Sequence, residues 1–282
     1  MKSFGGIEEK FTSFDDSNIL LVPIPYDGTT TYGKGSDKGP EAILESSKFL
    51  ELYDIETNSE VFKKGIHVTP PIGENSHSEK LVQEIEESIS NYLELKKFIT
   101  ILGGEHSVSI GVIRAFRKKF KKLTVLQLDA HSDLRPVYEG SKYNHACSMH
   151  ESSKQDNLIQ VGIRSMDSTE LPFVNDDFLF TTYKIRNNKY WMEDITNCLG
   201  ENVYITIDLD FFDPSIMPST GTPEPGGFFW DETLKLLKMV FKNSNVVGFD
   251  IVELSPIERL TGPDFLAAKL YYKLLSYKFH LK

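Results

Sequence analysis

Asp129, His131 and Asp133 stand two residues apart, directly after the apolar run in TVLQLDAHSDLRP (124–136). Residues at i, i+2 and i+4 of a β-strand share one face, so extended geometry carried past the run would aim three metal-capable groups the same way. The spacing recurs at Asp208 and Asp210, where VYITIDL (203–209) ends. His106 lies in GGEHSV, just after FITIL, and Glu253 lies near the end of NVVGFDIVEL (245–254), before Ser-Pro. Taken singly, each has an ordinary reading: a histidine in a glycine turn as a hydrogen-bonding residue, an aspartate after a strand as the cap of the next helix. Taken together, four aspartates on buried-looking segments without Lys or Arg would each suffer a raised pKa or need a cation beside them. Two imidazoles and four carboxylates, with no thiolate, exclude zinc-finger chemistry. They favour Mn²⁺, with Fe, Co and Ni left open. Six ligands exceed the needs of one open catalytic metal and suit two, bridged by carboxylates and a solvent oxygen.

The elements that must position these groups alternate. Short apolar or β-branched runs at 18–24, 98–102, 123–128, 157–163, 203–209 and 245–254 read as strands covered on both faces. Between them, residues 79–97 place Leu81, Val82, Ile85, Ile89, Tyr92 and Leu93 on one helical stripe. Residues 108–120 are similar and end in a basic turn, while 231–241 and 263–275 open with acidic residues or with Pro then Asp. This alternation predicts an α/β sandwich around a mostly parallel sheet, with ligands gathered at the carboxyl ends of its strands.

The chain has 282 residues, 40% hydrophobic and 26% charged, with a net charge of −10. No Pro/Ser-rich linker or repeat divides it, so a single domain, 1–282, is expected. An acidic surface argues against nucleic acid and anionic lipid as partners and mildly favours cationic small molecules. Cys147 and Cys198 lie far apart and outside any CxxC pattern, as free thiols of a reducing compartment do. With no leader-like or membrane-spanning apolar stretch, the expectation is a cytoplasmic protein.

GGEH, DAHSD, IDLDFFDPSIMPSTGTPEPGG and DIVELSP occur in an order that resembles the ureohydrolase family, arginases and agmatinases; GTTTYGKGSDKGPEAI (28–43) resembles that family's N-terminal segment. The resemblance implies an arginase-like three-layer α/β/α fold, two Mn²⁺ per subunit and a homo-oligomer, trimer or hexamer. By motif, His106, Asp129, Asp133 and Asp208 would hold one metal and Asp129, His131, Asp208 and Asp210 the other, with Asp129 and Asp208 bridging. Four carboxylates and one hydroxide against two divalent cations leave the cluster near −1, which suits a small cationic guanidine substrate. Glu253 would bind the guanidinium nitrogens in a two-pronged ion pair, and Thr222 would add a hydrogen bond. His145, in KYNHACSM, matches the histidine that protonates the departing amine. With Asp133 these form the implied catalytic set.

Arginine and agmatine differ by one carboxylate, so the stretch after DAHSD discriminates between them. LRPVYEGSKYNHACSM (134–149) resembles the agmatinase form, DLR…YxGxxxxHA, and lacks the Asn and Ser groups of arginases. Tyr138 and Glu139 are expected at the mouth, Glu139 against a free ammonium. Arg135 either pairs with a substrate carboxylate or braces an acidic neighbour. Agmatine hydrolysis to putrescine and urea, a step of polyamine synthesis, is therefore the expected activity. Arginine, guanidinobutyrate or another small guanidine is the sibling alternative. A deacetylase-type metal hydrolase is disfavoured because it would not keep the full ligand set. A non-catalytic metal scaffold is disfavoured because Glu253 and His145 are retained.

Overall fold

The computed structural model describes residues 3–73, 77–155 and 157–281. The strands are β1 (Ile19–Ile24), β2 (Ile66–Val68), β3 (Phe98–Gly103), β4 (Thr124–Leu128), β5 (Leu158–Ile163), β6 (Leu179–Thr181), β7 (Asn202–Asp208) and β8 (Asn245–Val252). The helices are α1 (Gly39–Ser47), α2 (Ser78–Leu93), α3 (Val108–Lys119), α4 (His150–Ser153), α5 (Thr182–Arg186), α6 (Trp191–Cys198), α7 (Trp230–Asn243) and α8 (Gly262–His280). The strands form one sheet in the order β2-β1-β3-β8-β7-β4-β5-β6, and every pairing between these strands is parallel.

Both faces of the sheet are covered, which is why its strands read as near-continuous apolar runs. Along β1, Leu20, Val22 and Ile24 join a core with Leu81, Ile85 and Ile89 of α2 and Val108, Val112 and Phe116 of α3. Ile19 and Leu21 face the other way, into a core with Ile43 and Leu44 of α1, Leu236, Leu237 and Val240 of α7, and Leu270, Leu274 and Leu275 of α8. The result is three layers, helix on sheet on helix.

Six of these elements were not anticipated: the three-residue edge strands β2 and β6, and the helices α1, α4, α5 and α6. The edge strands are too short for their patterns to rise above a loop's. Helix α1 carries Pro40 in its first turn, a start cue present in the sequence.

The chain order of the strands explains where the site lies. The β7 and β8 strands, formed late in the sequence, insert between β3 and β4. The four segments carrying ligand candidates and Glu253 therefore follow β3, β8, β7 and β4, four neighbours at the centre of the sheet. That is the crevice at carboxyl strand ends where ligands of such folds bind.

Candidate active site

The ligand candidates converge through tight turns, not by continued strand alternation. The β4 strand stops at Leu128. Beyond it, Asp129 Oδ1 accepts the amide of His131 at 2.6 Å, Asp210 Oδ1 accepts the amide of Ala130 at 3.0 Å, and Asp133 adopts a left-handed φ of 55°. These bonds curl the chain, so the expected i, i+2, i+4 geometry does not hold for Asp129, His131 and Asp133. Similarly, Asp208 ends β7 and accepts the amide of Asp210 at 2.9 Å, which places Asp210 in a 3-10 turn, not on the strand. Asx turns bring each pair of side chains back toward one point.

His106 Nδ1 lies 3.1 Å from Asp129 Oδ2, 3.1 Å from Asp133 Oδ2 and 3.5 Å from Asp208 Oδ2. His131 Nδ1 lies 2.8 Å from Asp210 Oδ2 and 3.8 Å from Asp129 Oδ1. Two groups result whose ligand atoms lie within 4.8 Å of one another: His106, Asp129 and Asp208, and Asp129, His131 and Asp210. Asp129 belongs to both. Asp133 faces His106 from the side and accepts the Ser148 hydroxyl at 2.8 Å.

The chemistry of this donor set fits divalent cations. His106 Nδ1 is buried and lacks an aligned hydrogen-bond partner. Its Nε2 lies 2.9 Å from Thr206 Oγ1, whose own proton goes to Asp250 Oδ1 at 2.6 Å. A hydroxyl whose proton is committed can only accept. Nε2 therefore carries the ring proton, and Nδ1 is the atom left for a metal or, without one, a second proton. The charges agree. Burial, then the Asp210 and Asp133 carboxylates, push Asp129 up to about 7, and burial with Asp210 and Asp129 pushes Asp208 well above the carboxylate range. Burial opposes charge on His131, but the Asp210 carboxylate beside it prevails and lifts it to about 11. Without metal, protons must supply the neutralising charge that two cations would otherwise bring.

Above this cluster opens a cavity of about 280 Å³, lined by His131, Asp133, Asp208, Asp210, His145, Thr222, Tyr138 and Glu253 among others. Glu253 has a left-handed φ of 66° just past β8, with its amide donating to the Gly104 carbonyl at 2.7 Å. Its Oε1 accepts the His106 amide at 2.7 Å, leaving Oε2 for a ligand. Burial, then the charge of Glu105, hold its carboxyl well above its usual range. Gly104 is required here, since a Cβ would meet the Tyr26 carbonyl oxygen at 2.0 Å. That close approach brings the 27–35 loop to the cavity rim.

Glu139 is not where the sequence reading put it. It is exposed at a tight turn in which Glu139 and Gly140 have φ of 48° and 78°, and it does not line the cavity. The acids lining the outer cavity are Asp167 and Glu170. Arg135 braces one of them: its Nη2 is 3.5 Å from Asp167 Oδ2, and its guanidinium lies 4.5 Å from the Tyr138 ring centre. His150 is buried, with Nδ1 2.8 Å from the Leu134 carbonyl. Cys147 and Cys198 are free, and burial pushes the Cys147 thiol up to about 12, leaving it inert.

Sequence reasoning passed over the residues that hold the ligand candidates. Gln127 donates to Asp129 Oδ2 at 2.7 Å and accepts from its neighbour Gln160 at 2.7 Å. Glu224 Oε1 lies 3.7 Å from His131 Nε2, and Arg164 Nη2 donates to the carbonyls of Asp210 and Glu224 at 2.6 and 2.9 Å. The signal was present at Gln127, a lone amide inside a buried strand, which needs a partner.

The model of the family described as "Arginase family" matches residues 17–276 of the chain. The chain belongs to the arginase family. It is 38% identical over 280 residues, 95% of this chain and 92% of the relative, to an N(1)-aminopropylagmatine ureohydrolase of Synechocystis sp.. It is 34% identical to an agmatinase of Bacillus cereus, covering 87% of this chain and 86% of the relative. The solved structure of agmatine ureohydrolase of Thermoplasma volcanium superposes with a TM-score of 0.87 at 29% identity, covering 98% of this chain and 94% of that one. The arginase-like fold and a hydrolase acting on guanidino compounds follow from these likenesses. The family is dependent on a binuclear metal centre, and this chain carries the paired clusters for one.

Proposed function

We propose that this chain hydrolyses the guanidinium group of an alkylguanidine whose far end is an amine, not a carboxylate. N(1)-aminopropylagmatine stands ahead of agmatine. The observation that carries the amine tail is the outer cavity. Arg135, the one Lys or Arg among the described residues lining it, and Asp167 are engaged with each other, and Glu170, buried and accepting Ser132 Oγ and the amides of Leu134 and Asp167, leaves the net charge there negative. A carboxylate tail would find no free cation there. The aminopropyl substrate is placed first because the Synechocystis relative is more similar, over more of the chain, than the B. cereus agmatinase. Agmatine, favoured by the sequence reading, becomes the second substrate.

Two Mn²⁺ held by His106, Asp129, Asp133, His131, Asp208 and Asp210 would supply an activated water at neutral pH. The remaining roles belong to the chain. Glu253 holds the guanidinium against the cluster, Thr222 adds a hydrogen bond, and Tyr138 lines the path of the tail. His145 gives its proton to the nitrogen of the departing amine. Water adds to the guanidinium carbon and the C–N bond to the alkyl nitrogen breaks, so urea leaves with an amine. That amine is a triamine from N(1)-aminopropylagmatine and putrescine from agmatine. The homo-oligomer implied by the resemblance belongs to the same proposal, and sedimentation of the purified chain tests it.

Urea release by the Mn²⁺-loaded protein from N(1)-aminopropylagmatine, agmatine, arginine and guanidinobutyrate decides the substrate. We expect kcat/KM to fall in that order, by about tenfold or more between the amine-tailed and carboxylate-tailed compounds, the size of one charge-assisted contact. Preference for arginine or guanidinobutyrate refutes the amine-tail reading.

A further inference from the structure

The segment GTTTYG supplies no ligand and no guanidinium contact in the proposed function, yet it is fixed with unusual care. Glu105, fully buried in the turn after β3, accepts the amides of Thr29 and Thr30 through Oε2 at 2.6 and 3.0 Å. Its Oε1 accepts the hydroxyls of Thr29 and Ser107, each at 2.5 Å. Thr29 has a single hydroxyl proton, and the carboxylate takes it. The Thr29 oxygen then has only lone pairs to offer, and both neighbours that reach it belong to His145. The His145 amide donates to it at 3.1 Å, and His145 Nδ1 lies 3.3 Å away. The Tyr138 ring stands nearly perpendicular to the same imidazole, with centroids 6.1 Å apart.

We propose that Thr29 is a positioning residue: its hydroxyl, anchored by Glu105, holds His145 with the proton on Nδ1 and leaves Nε2 as the nitrogen that exchanges a proton in the cavity. This rests on the proposed hydrolysis. When the bond between the guanidinium carbon and the alkyl nitrogen breaks, its electron pair goes to that nitrogen. The same nitrogen takes the Nε2 proton of the His145 imidazolium, leaving a neutral ring with Nδ1–H still directed at Thr29. A ring freed from Thr29 would divide its time between tautomers and orientations, and only a fraction would face the leaving group correctly. The proposal also accounts for an acid that binds no metal sitting directly beside the ligand His106. Glu105 ties the first strand's loop to the third strand's turn, and through Thr29 it reaches the 145 segment.

The test replaces Thr29 by Val, which keeps the shape and removes the hydroxyl, and by Ser, which keeps the hydroxyl. Thr29→Val should lower kcat by about tenfold or more with KM nearly unchanged, Mn²⁺ stoichiometry retained and the unfolding midpoint close to wild type. Thr29→Ser should restore kcat to within about threefold of wild type. In a His145→Ala background, Thr29→Val should cost nothing further, because the group it positions is gone. Wild-type kcat in Thr29→Val, or a full additional loss on top of His145→Ala, overturns the proposal. Imidazole ¹⁵N shifts of the histidine-labelled, zinc-loaded protein give a readout independent of turnover. Nδ1–H at His145 in the wild type, lost or mixed in Thr29→Val, is expected. Nε2–H in the wild type overturns the proposal even if urea is released. Absence of urea from every guanidine sinks the proposed function instead, and the shifts still decide the role of Thr29.

Discussion

Thr206→Val removes one hydroxyl from a site that loses no other atom type, and its effect can be worked from the contacts. Thr206 and Asp250 are register partners on β7 and β8, so their side chains meet on one face of the sheet. The hydroxyl accepts from His106 Nε2 at 2.9 Å and donates to Asp250 Oδ1 at 2.6 Å. Asp250 keeps two other donors, Tyr204 at 2.7 Å and Ser109 at 2.9 Å, so the carboxylate is not orphaned. His106 has no such reserve. With valine opposite, the ring either leaves a buried Nε2–H unpaired, at about 1–3 kcal/mol, or moves that proton to Nδ1 and forfeits the atom that faces Asp129 and Asp208. Either route weakens metal binding by about tenfold to a hundredfold, the range for groups that orient a ligand from behind. Titrating the metal-free protein with Mn²⁺ against a fluorescent chelator measures this directly. Thermal unfolding in excess chelator separates damage to the fold from lost affinity. Thr206→Ser retains the bond and should bind metal within about threefold of wild type, losing only about 0.8 kcal/mol of packing for one methyl. Undiminished affinity in Thr206→Val would show that His106 is not held as a ligand through Thr206.

Asp129→Ala removes the carboxylate common to both clusters and should leave the protein with less than one tightly bound Mn²⁺ by metal analysis; full occupancy refutes the sharing. His145→Phe should keep both metals while kcat falls about a hundredfold or more in a urea-release assay, and an unchanged rate removes His145 from the reaction. Glu253→Gln should cost about tenfold to a hundredfold in kcat/KM, because a charge-assisted pair to the guanidinium becomes a neutral hydrogen bond. Metal-free protein should lose thermal stability as pH rises from about 5 to 9. Folded Asp129, raised to about 7 from 3.8, accounts for the loss up to about pH 7, and folded His131, raised to about 11 from 6.5, for the loss above about pH 6.5. Added Mn²⁺ should cancel this slope by displacing those protons, and a pH-independent melting temperature in chelator would show that the cluster does not demand positive charge.

How much of this was legible depended on whether a residue's role is local. The six central strands announced themselves as apolar runs because helices cover both faces, and the strand-end placement of the candidate ligands was readable from GGEH, DAHSD and IDLD. The mode of convergence was not. Strand alternation suggested itself for Asp129, His131 and Asp133, but β4 ends at Leu128 and hydrogen bonds to the aspartates themselves bend the chain. Nor was Glu139 distinguishable from Asp167 and Glu170 as an acid of the cavity, because Asp167 and Glu170 reach it from a 3-10 turn some thirty residues further along the chain. Periodicity locates a segment in a layer. It does not say which loops meet above that layer.

The supporting residues share a further property that explains both their invisibility and their importance. Gln127 pairs with Gln160, Thr206 with Asp250, and Thr29 with Glu105, each across elements separated by more than thirty positions in sequence. Each pair includes a polar group whose hydrogen-bonding capacity is spent on one partner, so that its remaining capacity has a fixed sense. Gln127 accepts from Gln160 and therefore donates to Asp129, Thr206 donates to Asp250 and therefore accepts from His106, and Thr29 donates to Glu105 and therefore accepts from His145. A buried group with its direction already decided fixes the tautomer or orientation of the residue in front of it without a metal being present. If these bonds set the cluster's geometry during folding, a cation entering it would displace protons without rearranging side chains. This predicts that metal binding to the folded protein releases protons, in number set by Asp129, Asp208 and the two histidines, with little change in near-ultraviolet circular dichroism. Calorimetric titration with Mn²⁺ in buffers of different ionisation enthalpy counts those protons, and binding with no proton release would contradict the preformed site.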